Sequence, residues 1–381
     1  MKDQSHFDYA IIGAGAAGLQ LALAFIADPH FAEKRILILD KDVKDKNDRT
    51  WCYWEKGEGP WDALITRAWN QASFITDQQQ LEYKLSPYQY KMLRSADFYR
   101  YAKEQVARTS HVKWVNEEVK DTIETQVVAI KTDTATYFAD HVFDSRVPVE
   151  FYSDTAYTHI LQHFKGWVIQ THDQKFDTDQ FTMMDFRTSD KSTTNFMYVL
   201  PLSDNQAMVE HTYFSSTVVA DDVYEQELSR YISEILKIDE YQIIETEYGV
   251  IPMSDYPFNR HHSKLVTKIG TAGGWVKAST GYSFKNASRH IDKIIKRLKK
   301  GRIPHRNHPT GKYQFYDRVF LKVLADHNHR GAEFFEKMYT KNSIQRIFRF
   351  LDNKSSLQDD AMIIKSFPAL PFLKAAFAKR G

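Results

Sequence analysis

The six residues GAGAAG, Gly13 to Gly18, constrain this 381-residue chain more than any other stretch. They follow an apolar run, FDYAII at Phe7–Ile12, and open a run of helical character, LQLALAFIAD. A Gly-x-Gly-x-x-Gly spacing between a strand and a helix has a specific physical use. Gly13 permits a tight turn, Gly15 lets a phosphate approach the backbone, and Gly18 lets the helix pack closely on the strand. The helix N-terminus then offers unpaired N–H groups to an anion. RILILD, Arg35–Asp40, reads as the next parallel strand, and Asp40 at its end can accept hydrogen bonds from ribose hydroxyls. Gly18 and Asp40 stand slightly further apart than usual, which puts an insertion around His30–Lys34. A plain βαβ turn would use the same glycines. The strand, helix and acid together point to a dinucleotide site made by Gly13, Gly15, Gly18 and Asp40.

The layout after this turn selects among dinucleotides. Phe98–Thr109 has helical spacing, Val112–Val115 reads as a strand, and Val119–Phe143 alternates in short runs like a meander. Strand patterns then recur at Gly166–Thr171, Phe181–Arg187, Phe196–Leu202 and Ala207–Phe214. A helix at Tyr224–Leu236 and a strand at Glu245–Ile251 follow. A nicotinamide dehydrogenase would continue its βα units. This chain turns β-rich and returns to glycine only at IGTAGGW, Ile269–Trp275. That arrangement predicts FAD in a discontinuous domain, with Gly270, Gly273 and Gly274 supplying N–H groups from a second loop. The expected fold class is α/β, α+β overall. A Rossmann-like FAD-binding domain spans 1–60, 95–150 and 252–300. A β-rich substrate-binding domain spans 61–94 and 151–251, and a helical region spans 301–381. No second full glycine fingerprint is present, so no separate NADPH domain is expected.

Charge divides the chain unevenly. From Lys285 onward there are 22 Lys and Arg against 8 Asp and Glu, while residues 1–284 carry 29 against 41. A basic tail on an acidic body suits an anionic partner, either nucleic acid or a membrane surface. No nucleic-acid module is recognisable and the body is acidic, so no nucleic acid is expected. The single cysteine, Cys52, excludes an intramolecular disulfide and a multi-cysteine metal site. His261-His262 and the His305/His308 pair lack clustered acids, so no metal is expected. There is no leader pattern before the first strand and no apolar run of 18 residues. We therefore expect a cytoplasmic protein without a transmembrane helix.

One residue sits against the grain of its surroundings. FMYVLPLSDNQAMVEHTYF reads as a hairpin with a turn at Ser203–Gln206. In its second strand Met208, Glu210, Thr212 and Phe214 share one face, and Val209, His211 and Tyr213 the other. A carboxylic acid thus stands among apolar neighbours. Burial there disfavours the ionised form and raises the pKa, which suits a proton donor.

The stretches DYAIIGAGAAGLQLA, DRTWCYWE (Asp48–Glu55), MMDFR (Met183–Arg187), MVEHT (Met208–Thr212), YGVIPM (Tyr248–Met253) and GTAGGWVKASTGYSF (Gly270–Phe284) occur in this order. Together, over roughly residues 7–290, they resemble the lycopene cyclase family of carotenoid synthesis, in its bacterial flavoprotein type. The resemblance implies a lycopene β-cyclase that binds FAD, needs it reduced by NAD(P)H, and returns it unchanged. An acid protonates the terminal double bond of a linear ψ end group, the internal double bond closes on the cation, and a proton is lost to give a β-ionone ring. Plant members carry the acid in Phe-Leu-Glu-Glu-Thr. Here Met208–Thr212 match, so Glu210 is the catalytic acid and His211 replaces the second acid. The late loop has Gly270-Thr271 where related flavoproteins have Gly-Asp.

A hydrocarbon substrate needs an apolar, aromatic pocket, expected at Trp51, Trp54, Met208 and Tyr282. The rings of Trp51, Tyr53, Trp54, Trp275 and Tyr282 are candidates to face a carbocation. Reduced flavin is the other candidate proton donor. Lycopene, or a related carotenoid, resides in a bilayer. IQRIFRFL (Ile344–Leu351), SFPALPFLKAAFAKR (Ser366–Arg380) and the basic Lys285–Arg302 stretch are therefore expected to hold the enzyme on the inner face of the cell membrane. A flavin monooxygenase or geranylgeranyl-type reductase on the same scaffold is the alternative, and would consume NAD(P)H stoichiometrically.

Overall fold

The apolar runs flanking the glycine turn pair with each other in the computed structural model, which describes residues 5–305 and 311–378. Strand β1 (His6–Ile12) lies parallel to β2 (Ile36–Asp40) on one side and to β11 (Thr136–Asp144) on the other. β2 pairs in parallel with β8 (Val112–Asn116), and β11 with β17 (Val266–Lys268). β9 (Asp121–Glu124) and β10 (Val128–Lys131) complete the meander with β11, antiparallel, as the alternating pattern predicts. α1 (Ala16–Ala27), α2 (Ser95–Ala107), α3 (Glu150–Ser153) and α5 (Phe284–Leu298) belong to the same unit, built from Met1–Asn47, Ser95–Thr155 and Tyr256–Thr310. β1 and β2 are buried on both faces. Ile11, Ile38 and Phe25 are fully covered on one side, and Ala10, Leu37 and Leu39 on the other. This is why their sequences are continuous apolar runs rather than alternating ones. The insertion expected near His30–Lys34 is a short helical turn at Pro29–Phe31 that buries Phe31.

The second unit comprises Asp48–Arg94, Ala156–Asp255 and Gly311–Gly381. Its large sheet runs β16 (Gln242–Ser254), β12 (His159–Gln170), β15 (Gln206–Ser215), β14 (Thr194–Pro201), β13 (Gln180–Asp185), β5 (Gln71–Ile75) and β6 (Gln80–Lys84). Only β13 and β5 pair in parallel. A smaller sheet joins β3 (Thr50–Lys56), β7 (Tyr88–Arg94) and β4 (Arg67–Trp69). Helix α4 (Asp221–Arg230) continues into a wider turn at Tyr231–Ile235, and Leu228, Tyr231 and Ile232 pack on Trp167, Met197 and Val209 of the sheet. Each such side chain withdrawn from water contributes roughly 1.5–3 kcal/mol.

Two boundaries differ from the sequence expectation. Residues 48–60 group with the second unit rather than the first, because Thr50–Lys56 finds its partner in Tyr88–Arg94. Residues 311–378 form α6 (Lys312–Asp326), α7 (Gly331–Lys341), α8 (Ile344–Leu351), α9 (Leu357–Ser366) and α10 (Ala369–Phe377), and they also group with the second unit rather than standing apart. The reason is apolar contact: Tyr339 stacks on Phe74 at 4.5 Å between ring centroids, and Phe348 on Trp54 at 4.6 Å. The apolar face of IQRIFRFL, expected to meet lipid, is therefore covered by protein, with Ile344, Ile347 and Phe348 at most 2% exposed. Arg380 lies outside the described residues. No helix among the described residues is long and apolar enough to cross a membrane.

Candidate active site

In the first unit the three glycines do three different things. Gly13 has φ +98°, where an L side chain is strained, and a Cβ there would fall 1.9 Å from the Ser145 hydroxyl oxygen. A Cβ on Gly18 would lie 1.9 Å from the Gly13 carbonyl oxygen, so only glycine lets α1 sit this close to the turn. Above Gly15 there is nothing within 4 Å. Gly15 precedes the first turn of α1, whose N–H groups lack intrahelical partners, so the opening faces a set of anion donors. Asp40 accepts the Ala14 N–H at 2.5 Å and the Asp42 N–H at 2.8 Å, which fixes its carboxylate beside the turn.

The second glycine loop folds back to this place. Gly270 has φ +60°, and a Cβ there would stand 3.3 Å from the Ala17 methyl group on α1. Gly274 has φ +69°, and a Cβ on Gly273 would stand 2.6 Å from the Lys268 carbonyl oxygen. The structure thus brings Gly13, Gly15, Gly18, Asp40 and Gly270 together, with Gly273 and Gly274 completing the second turn. Trp275 is stacked on His290 at 5.0 Å, and Tyr282 is half-buried with its carbonyl accepting the Lys277 N–H. Both belong to this unit. Also here, His262 stacks on His305 at 4.4 Å, and the hydroxyl of Thr267 bridges His141 and His305. His308 lies outside the described residues. Among the described residues no group of three His, Cys, Asp or Glu side chains could hold a metal.

In the second unit, the hairpin places Glu210 on β15, half-buried. Register determines what it meets. Glu210 stands opposite Tyr198 of β14 and Gly166 of β12, and Gly166 in turn stands opposite Glu247 of β16. Residues directly opposite share a face and stand about 5 Å apart at Cα. Tyr198, Glu210, Gly166 and Glu247 therefore form a row across four strands, with two carboxylates about 10 Å apart at Cα. The one position between them has no side chain. A Cβ on Gly166 would meet the Met208 methyl at 3.0 Å and the Glu210 Cβ at 3.4 Å, so both side chains lean over the glycine. Met208 is 1% exposed, and Phe164, opposite Thr212, lays its ring over Gly249 on the same face.

The two acids are held differently. Glu210 Oε1 accepts the Thr212 hydroxyl at 2.8 Å, its one hydrogen bond among the described residues. Burial, with the Glu247 charge second, pushes the Glu210 carboxyl up to about 8, against the weaker pull of Thr212. Glu247, 4% exposed, accepts the Thr50 N–H at 2.8 Å on Oε1 and the Thr50 hydroxyl at 2.5 Å on Oε2. Burial raises its pKa too, while those two bonds and the Arg49 charge oppose the rise. Cys52, two residues on from Thr50, is pushed well above the usual thiol range by burial and by both carboxylates. It thereby marks the place where the two acids act on one environment.

The remaining sequence candidates fall as follows. Trp51 is half-buried on β3, while Trp54, 4% exposed, is occupied by its stack on Phe348. His211 points to the other face of β15, as the alternation predicts. It bonds Asn195 at 3.0 Å, and burial pushes it down to about 3, so it is neutral and off the face of Glu210. Asp185 is structural: fully buried, it is paired with Arg187 and accepts the Tyr231 hydroxyl at 2.7 Å. Sequence reasoning missed Glu247, Gly166 and Thr50. A signal for Glu247 existed, since it is an acid inside a strand pattern, one residue before YGVIPM. Its partnership with Gly166 needs the register.

The family model described as "Lycopene cyclase protein" matches residues 8–377. A curated relative, neoxanthin synthase of the chloroplast from Solanum tuberosum, is 23% identical over 311 residues, 73% of this chain. The chain spans 58% of that relative's length. Among solved structures, a geranylgeranyl bacteriochlorophyll reductase-like protein from Thermoplasma acidophilum superposes with TM-score 0.60 at 12% identity, covering 99% of this chain and 96% of its own. A flavin-dependent brominase gives TM-score 0.58 at 14% identity, covering 91% and 93%. At such identities the likeness carries the fold, which is α/β with a Rossmann-like FAD-binding architecture.

Proposed function

From the premise that the chain belongs to the lycopene cyclase family, we infer that it is a lycopene β-cyclase, converting linear ψ end groups to β-ionone rings without net redox change. One observation carries this reading. Glu210 sits on a largely apolar sheet face with its carboxyl pushed up to about 8, so it holds its proton at neutral pH. An alkene is a feeble base, and its protonation needs an acid that water has not already stripped. Glu210 gives that proton to the inner carbon of the terminal double bond, which leaves a tertiary cation on the dimethyl carbon. The internal alkene bonds to that carbon, and loss of a proton from the resulting ring cation gives the neutral β-ionone ring. The aromatic face of Phe164 and the half-buried Tyr198 offer ring density without a strong nucleophile.

The first unit fits FAD. The opening above Gly15 admits a pyrophosphate to the N–H groups of α1, Asp40 suits a ribose, and the Gly270–Gly274 loop lies against the same turn. When bound and reduced by NAD(P)H, FAD supplies an electron-rich surface that favours cationic chemistry and is itself returned unchanged. The membrane contact moves from α8 to α9 and α10. There Ile364, Leu370, Leu373 and Phe377 are 50–83% exposed beside Lys365 and Lys374. That combination suits peripheral binding to an anionic leaflet on the inner face of the cell membrane. Replacing Leu370, Leu373 and Phe377 by Glu should abolish flotation with anionic liposomes, and undiminished flotation removes these helices from the account.

The decisive experiment is expression in a lycopene-accumulating bacterium with pigment analysis. β-Carotene is expected. Unchanged lycopene with soluble, flavin-loaded protein overturns the reading. NAD(P)H consumed in proportion to a hydrogenated or oxygenated product would establish the reductase or monooxygenase alternative instead.

A further inference from the structure

The row across the sheet assigns a task to a second acid. We propose that Glu247 is a positioning residue: a fixed anion, tied down by Thr50, that keeps the proton on Glu210 across the gap left by Gly166. The inference deepens the cyclase reading and rests on it for its consequence, not for its geometry.

The argument begins with donors. Hydrogen bonds donated to both oxygens favour the ionised form of a carboxylate, and Glu247, whose pKa burial raises, is held toward that form by the Thr50 N–H and the Thr50 hydroxyl, one on each oxygen. Glu210 receives a single bond, on Oε1, so Oε2 can carry the proton. Two carboxylates facing one another across a single residue cannot both ionise without repulsion, and the one with more donors takes the charge. Gly166 makes this coupling direct. Any side chain there would stand between the acids, tight against the Met208 methyl at 3.0 Å and in contact with Glu210 Cβ at 3.4 Å.

Other charges facing the pair do not supply the effect. Arg49 acts on Glu247 and favours its ionised form. Glu245, two residues from Glu247 on β16, opposes the ionised form of Glu247, and it is paired with Arg94. Cys52 on β3 stays a thiol, because burial and both acids push its pKa up, with the Tyr90 hydrogen bond opposing. Tyr198 of β14 and Thr212 complete the surroundings of Glu210. Burial is the larger cause of the raised Glu210 pKa, and Glu247 is the charge that adds to it.

The test is infrared titration of the full-length, flavin-loaded protein, following the carbonyl stretch of a protonated carboxyl group. Glu210→Gln identifies the band by removing it. In the unsubstituted protein the band should disappear with a midpoint near pH 8. Glu247→Gln should lower that midpoint, with roughly a tenfold rise in the ionisation constant of Glu210. The fall in cyclase rate with rising pH should shift to lower pH together with it. Glu247→Met keeps the volume where Gln keeps a hydrogen bond, so either folded variant decides. An unmoved midpoint, or a rate lowered equally at every pH, overturns the proposal. If Glu210→Gln retained full cyclisation while Glu247→Gln still moved the band, the carboxylate pair would stand and the assignment of Glu210 as the acid would fall.

Discussion

The Gly13–Gly18 turn and the Gly166 position both depend on a missing side chain, but they use its absence differently. At Gly18 the space is filled by backbone, the Gly13 carbonyl. At Gly15 it is open for an incoming group. At Gly166 it is shared by two side chains, Met208 and Glu210, and it separates two acids. The first region shapes a backbone cradle whose chemistry lies in N–H groups. The second shapes an electrostatic contact whose chemistry lies in carboxyls. A glycine that defines a fold and a glycine that sets up a pair of acids should therefore fail in different ways when substituted.

The largest effect should come from the acid beside the gap. Glu210→Gln should lower cyclisation by about 10²–10⁴-fold while FAD is retained, because the cradle residues are untouched. Near-normal turnover by this variant would hand the proton to reduced flavin and reduce Glu210 to a packing residue. The same substitution changes stability with a definite sign. In the unfolded chain Glu210 gives up its proton near 4.5, and in the folded chain near 8. The stability associated with the neutral form is complete below about pH 4.5 and is lost as pH rises to about 8. Glu210→Gln should flatten that slope in urea titrations at successive pH values. An unchanged slope would mean that Glu210 ionises as readily folded as unfolded.

Next in size are the cradle glycines, and here two neighbours should separate. Gly18→Ala drives a methyl group into backbone that cannot rotate away, at a cost of about 3 kcal/mol, with loss of flavin. Gly15→Ala has open space and an ordinary φ of −83°, so apoprotein stability should change by at most about 1 kcal/mol. FAD affinity should nonetheless fall roughly tenfold or more, since the methyl group occupies the path of the pyrophosphate. Chemical denaturation and flavin titration of both variants read these directly. Equal stability losses would erase the division between packing and approach.

What was legible in the sequence follows the same division. The roles of Gly13, Gly15 and Gly18 depend on residues within one turn, so spacing between a strand and a helix was enough. Glu210 was legible because a strand alternates with period two, and an acid on an apolar face shows within five residues. Glu247 stands 37 positions further on, and its relation to Glu210 exists only through the register of β15 on β12 and of β12 on β16. Trp54 and IQRIFRFL show the converse. An aromatic residue and a basic amphipathic segment have the same pattern whether they meet ligand, lipid or protein. Here Phe348 of that segment stacks on Trp54.

The smallest expected stability change gives the sharpest test of the comparison. In Gly166→Ala the new methyl group stands 3.0 Å from the Met208 methyl, the far end of a flexible chain, and 3.4 Å from Glu210 Cβ, an ordinary contact. Met208 can yield by a few tenths of an ångström at a cost of about 1 kcal/mol. Loss of glycine's freedom in the unfolded chain offsets much of that, by about 0.4–1 kcal/mol. Denaturation should therefore find Gly166→Ala close to the unsubstituted protein, far from Gly18→Ala. Cyclisation should nonetheless fall on the order of 10- to 100-fold, because a small displacement of a reacting acid is costly. Gly166→Val should fall further. If Gly166→Ala unfolds as readily as Gly18→Ala, both glycines are packing devices and the contrast collapses. If it folds well and cyclises normally, the gap between the two acids is incidental to the chemistry.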